Sequence, residues 1–120
     1  MKLRGLRGAT TCDVDTAEEI DVKTKALVAA MLERNEVDHE ELVSIIFTAT
    51  DDLHAQFPAT AARTLGLGDV PLLCARELDI VGGKPRTIRV LMHLYTERTR
   101  RELHHVYLEG ATTLRDDLPE

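Results

Sequence analysis

The chain has 120 residues, room for one domain and little more. Apolar residues make up 43% and charged residues 30%, the composition of an ordinary globular chain with a real but small core. Fifteen basic residues against twenty-one acidic ones leave a net charge of −6, which disfavours nucleic acid and anionic membranes as partners, and aromatics at 3% are too scarce for a base-stacking platform.

Residues 2–12 alternate as a strand. Leu3, Gly5, Arg7 and Ala9 share one face; Arg4, Leu6, Gly8 and Thr10 share the other. Gly5 and Ala9 leave space beside Arg7, which is read either as a solvated surface group or as the lining of a cavity. Thr16-Ala17-Glu18-Glu19 has the pattern of a capping box and predicts a helix to about Arg34. Its apolar stripe is Ile20, Leu27, Val28, Met31 and Leu32, and Asn35 can end it. Asp38–Glu41 reads as a short capped turn. Leu42–Ala49 is nearly all apolar and predicts a buried strand.

Asp51–Pro58 is a loop, and Pro58 suits the first position of a short helix that ends at Gly66. Val70–Arg76 is a strand and Gly82-Gly83-Lys84-Pro85 a turn. Arg86–Thr96 alternates cleanly, with Ile88, Val90, Met92 and Leu94 on one face and Arg89, Leu91, His93 and Tyr95 on the other. Arg98–Glu102 is a charged connection, and His104–Glu109 a last strand. The order predicts an α+β fold: a mixed sheet of about five strands, with one long helix and one or two short ones on one face. One long helix cannot cover both faces of such a sheet. The uncovered face, with Leu91 and Tyr95, needs a partner, so a homo-oligomer is expected.

No uncharged run approaches the roughly 18 residues of a membrane span, and the N-terminus lacks the apolar core of a signal peptide. A cytoplasmic protein is expected. Cys12 and Cys74 are too few for a disulfide scaffold. The five histidines show no zinc-ligand spacing, and His104-His105 on a strand would point to opposite faces, so no metal site is expected. No serine, cysteine or histidine forms a nucleophile–base arrangement legible in the sequence.

Eleven of the fifteen basic residues are Arg. A GC-rich genome explains such a surplus, and so does a pocket for a small anion. Arg7, Arg63, Arg89 and Arg115, with Tyr107 and Glu77, are the candidates for such a pocket, because guanidinium forks hold carboxylates bidentately.

Five blocks, in order and in register over nearly the whole chain, carry a resemblance to a known family. They are Arg4–Thr11 (RGLRGATT), Thr48–Ala59 (TATDDLHAQFPA), Cys74-x-x-Glu77 with Asp79, Gly82-Gly83 followed by Ile88-Arg89-Val90, and His105–Leu108 (HVYL). Together they resemble the monofunctional bacterial chorismate mutases of the trimeric pseudo-α/β-barrel type. The resemblance implies a single domain over 1–120 with a short flexible tail at 116–120, and a homotrimer with its active sites at subunit interfaces. It implies rearrangement of chorismate to prephenate, within aromatic amino-acid biosynthesis, without cofactor or metal. It makes Arg89, Glu77 and Arg7 catalytic, with Arg7 and Tyr107 on a carboxylate, Arg89 on the ether oxygen, and Glu77 and the Cys74 backbone on the ring hydroxyl. Phe57, Leu73 and Leu114 become apolar wall, and Arg63 and Arg115 the rim.

The chain departs from the family at Thr60, where a Lys is common. Strand alternation also sets the Cys74 and Glu77 side chains on opposite faces, which requires either a bulge or a role for the Cys74 backbone alone. The imine/enamine deaminases share the trimeric architecture, but these blocks do not resemble theirs. Intact Arg7, Glu77, Arg89 and Tyr107 speak against a carboxylate-binding trimer without activity.

Overall fold

The computed structural model describes residues 1–114. Five strands form one mixed sheet: β1 (Lys2–Thr11), β2 (Leu42–Ala49), β3 (Leu72–Arg76), β4 (Thr87–Thr96) and β5 (Val106–Tyr107). Their order across the sheet is β3-β2-β4-β1-β5. The central strand β4 runs antiparallel to both β1 and β2, while β3 is parallel to β2 and β5 parallel to β1. The strand face with Leu6, Ile45, Phe47, Val90, Met92 and Leu94 is buried beneath helix α1 (Ala17–Arg34).

Helix α1 begins where the Thr16 hydroxyl accepts from the Glu19 amide at 3.1 Å. Only half of the expected capping box forms, because the Glu19 carboxylate takes the Asp13 amide instead, at 2.7 Å. The buried stripe is Ile20, Thr24, Leu27, Val28 and Met31, and Leu32 packs at its margin. Burying each such large apolar side chain contributes about 1.5–3 kcal/mol. Gly8 permits the close approach of helix to sheet: a Cβ there would lie 2.5 Å from Met31 Sδ and 3.0 Å from Leu27 Cδ1. Asn35 ends the helix through its side chain, whose amide donates to the carbonyls of Met31 and His104 (both 2.9 Å) and accepts from the His104 amide (2.7 Å).

The short helix α2 (Ala59–Ala62) widens into a turn over Arg63–Leu67, which Gly66 closes with φ +87°. The strand expected from Val70 starts at Leu72, since the Val70 amide still bonds to Leu67 O (3.0 Å). The strand expected over His104–Glu109 shrinks to Val106–Tyr107. His104 and His105 lie outside the strand because Asn35 and the Arg7 amide hold them from the side. No metal-holding group of His, Cys, Asp or Glu exists among the described residues. No described helix is long and apolar enough to cross a membrane. Arg115 and the 116–120 tail lie outside the described residues.

Candidate active site

The strand registers write the open face of the sheet as rows of side chains. Thr48 on β2 faces Arg89 on β4, Arg89 faces Ala9 on β1, and Ala9 faces Tyr107 on β5. One row along, Leu73, Ile46, Leu91 and Arg7 stand in line. Arg7 and Arg89 are therefore diagonal neighbours, and the small Ala9 leaves a depression between Arg89 and Tyr107. The result is a cleft of about 270 Å³ lined by Arg7, Thr48, Glu77, Arg89, Leu91 and Tyr107, among others. The cavity-lining reading of Arg7 is the one the fold supports.

Glu77 reaches this cleft without a bulge. The β2–β3 register is continuous from Ile45↔Leu72 to Ala49↔Arg76, so Leu73, Ala75 and Glu77 fall on the open face and Cys74 on the core side. The Cys74 side chain packs against the main core. Its backbone faces the other way. Ile45 N donates to Pro71 O (2.9 Å) and Glu77 N to Ala49 O (3.0 Å), so the odd-numbered residues of β3 address β2. The N–H and C=O of Cys74 therefore point outward along the free edge of the sheet.

Glu77 Oε1 accepts from the Thr48 hydroxyl at 2.6 Å and lies 3.2 Å from Arg89 Nε. The Arg89 contact is an ion pair and not a hydrogen bond, so the buried Nε has no hydrogen-bond partner among the described residues. An unmet buried donor costs about 1–3 kcal/mol, a cost that an acceptor in the cleft would relieve. No hydrogen bond or ion pair occupies the Arg7 guanidinium among the described residues. Its backbone amide donates to His105 Nδ1 at 3.0 Å, which pins β1 beside β5. Two guanidiniums against one carboxylate leave the cleft locally cationic inside a chain of net charge −6.

The other expected site residues stand elsewhere. Phe57 is 68% exposed and lines, with Cys74, a separate concavity of about 730 Å³ next to Asp51, His54 and Arg76. Asp15 holds that loop: its Oδ1 accepts from the amides of His54 (2.9 Å) and Ala55 (3.0 Å). Partial burial pushes the Asp15 carboxyl up, but those two amides outweigh it and the net shift is downward. Arg76 forks onto Asp51 at 2.9 and 2.6 Å and holds that carboxyl below its ordinary range. Arg63 is exposed on the turn after α2. Leu73 is 60% exposed on the open face, and Leu114 packs beside Ala9, Tyr107 and Ala111.

Two arrangements were not legible in the sequence. Thr48 positions Glu77, a role that only the β2–β3 register reveals. Ser44 Oγ and His93 Nδ1 meet at 3.1 Å on the open face, a pairing that was not legible in the sequence.

The open face also carries Leu3, Leu91 and Tyr95, which are 53%, 36% and 46% exposed. This is the unpartnered face that the single long helix implied.

Residues 3–118 match the family model described as chorismate mutase type I. The chain is 46% identical over 98% of its length to chorismate mutase AroH of Bacillus subtilis, and covers 94% of that protein. It is 48% identical over 97% of its length to chorismate mutase AroH of Thermus thermophilus, covering 96% of it. A solved chorismate mutase from Clostridium thermocellum superposes with a TM-score of 0.89 at 43% identity, over 91% of this chain and 97% of that one. The chain belongs to the type I chorismate mutase family.

Proposed function

We propose that the Arg7–Arg89 cleft is one half of an active site that rearranges chorismate to prephenate, and that the Phe57–Cys74 concavity of a neighbouring copy is the other half. The observation that carries this reading is the division itself. Arg7, Glu77, Arg89 and Tyr107 line one cleft, while Phe57 and Cys74 line another. At about 270 Å³ the cationic cleft also falls short of the roughly 300–1,000 Å³ of pockets that enclose a ligand. A homotrimer joined through the open face would bring the halves together and cover the exposed leucines.

The chemistry needs such a site. The reaction is an intramolecular [3,3] shift: the ether C–O bond breaks, a C–C bond forms, and every atom stays in one molecule. No cofactor or metal is required. Catalysis consists of holding a compact reactive conformer and meeting the negative charge that grows on the ether oxygen. In this reading Arg89 meets that charge and a carboxylate. Arg7 and Tyr107 take a carboxylate, and Glu77 accepts the ring hydroxyl. The outward backbone of Cys74 in the neighbouring copy adds a second contact to that hydroxyl. Phe57, Leu73 and Leu114 wall the site, and Arg63 and Arg115 close its rim. A fixed guanidinium stabilises the transition state more than the ground state, because the ether oxygen gains charge only as the bond breaks.

The purified protein incubated with chorismate should yield prephenate without added metal. Product at no more than the spontaneous rate would sink the proposal. Light scattering should report three copies per particle, and a monomer that retains full turnover would remove the shared site.

A further inference from the structure

Strand β5 is held to β1 through only two residue pairs, Gly8↔Val106 and Ala9↔Tyr107. That pairing sets where the Tyr107 side chain stands relative to Arg7 in the cleft. Ala9 addresses β5 with its backbone, since its carbonyl accepts from the Leu108 amide at 2.9 Å. By the two-residue period Arg7 addresses β5 as well, and a parallel ladder would offer its amide the carbonyl of His104. That carbonyl is engaged elsewhere. It accepts from the Asn35 side chain at 2.9 Å, while the His104 amide donates back to Asn35 Oδ1 at 2.7 Å. Asn35 is buried at the end of α1 and tied also to the Met31 carbonyl, so the helix cap claims residue 104.

The Arg7 amide bonds instead to the next side chain, and His105 Nδ1 accepts from it at 3.0 Å. The imidazole thus stands in for a backbone carbonyl and adds a rung to a ladder of two pairs. A backbone amide can only donate, so Nδ1 must present a lone pair. The ring is therefore neutral, with its proton on Nε2. Without this acceptor the Arg7 amide would lose its partner, and the pairing of β1 with β5 would loosen.

We infer that His105 is a positioning residue for the reaction: its Nδ1 fixes the spacing of Arg7 and Tyr107, the two groups that take one substrate carboxylate. The inference rests on the reading of the cleft as the chorismate site. The contact lies within one chain and works equally beneath a neighbouring copy. The carboxylate is held in the ground state and in the transition state alike. Slackening its two holders therefore weakens binding more than it slows the chemical step.

The test compares chorismate turnover by the wild-type protein and by His105→Ala, His105→Asn and His105→Gln. The amide oxygen of Asn hangs on Cγ as Nδ1 does, whereas that of Gln lies one carbon further out. His105→Ala should raise KM about three- to tenfold, with kcat within about twofold of the wild type. His105→Asn should recover the wild-type KM, and His105→Gln should not. Particle size should be the same throughout. Nitrogen NMR shifts of the wild-type ring should place the His105 proton on Nε2. An unchanged KM in His105→Ala would overturn the inference, and so would a proton on Nδ1. A loss that His105→Asn fails to recover, or that His105→Gln recovers as well, would also overturn it, because the position of the acceptor would then not matter. So would a fall in kcat at constant KM, or a changed particle size. If the wild type itself leaves chorismate unchanged, the reading of the cleft fails, and this role with it.

Discussion

The two faces of the sheet solve different problems. The covered face is finished within the chain: Leu27, Val28 and Met31 of α1 are fully buried against Leu6, Phe47 and Met92. The open face is chemically rich and unfinished, with Arg7, Arg89 and Glu77 grouped beside exposed Leu3, Leu73 and Tyr95. The same alternation produces both. Every residue that sends a methyl group to the core is followed by one that faces out, so β4 carries Val90 inward and Arg89 and Leu91 outward. The buried core is concentrated on one side of the sheet and the proposed site lies on the other, so mutations should separate stability from turnover.

The largest separation should come from Leu91→Asp. A charge in the middle of the open face should abolish assembly and, with it, nearly all turnover, while the circular dichroism of the chain stays native. A variant that keeps the wild-type particle size and activity would show that this face is not the interface. Arg89→Ala should come next, lowering kcat by at least about 10²–10³. Light scattering should find its particle size unchanged, and a mild kinetic effect would remove Arg89 from its role.

Leu27→Ala breaks the comparison from the other side. It empties a fully buried position and should cost about 2–5 kcal/mol in urea unfolding. Turnover per folded molecule should hold, and a large kinetic defect would mean that the faces are not independent. The smallest effect concerns Cys12, buried on the covered side near Ile20 and Ile88. Burial, reinforced by Glu19, pushes its thiol from 9.0 up to about 11. The folded state thus prefers the neutral thiol. Its contribution to stability is complete below pH 9 and should be lost as pH rises to about 11. Cys12→Ala should flatten that part of the pH–stability curve, and an unchanged alkaline slope would assign the loss to other groups.

Much of the fold was legible because its signals are local. The Thr16 cap, the Ile20–Leu27–Met31 stripe and the alternation of β4 each depend on residues within a turn or two of one another. The elements misjudged were those decided by distant partners. His104–Glu109 has the composition of a strand, yet Asn35, far away in sequence, claims His104 and cuts the strand to two residues. Glu19 has the right spacing for a capping box, but the Asp13 amide takes its carboxylate. For the site, the motif blocks named Arg7, Glu77, Arg89 and Tyr107, and the register brings these four into one cleft. The Thr48–Glu77 contact and the Ser44–His93 pair carried no local signal, because each crosses between strands.

By itself the sequence determined the element types, the two faces of each strand and the presence of a surplus of guanidinium groups with small neighbours. Those follow from side-chain period and from chemistry within a few residues. Only the tertiary structure decided that Arg7 and Arg89 are diagonal neighbours across β1 and β4, that Cys74 turns its backbone and not its thiol to the free edge, and that Phe57 lines a different concavity from Arg7. Strand order and register are set by the total burial of apolar surface over the whole chain, a quantity that no local window contains.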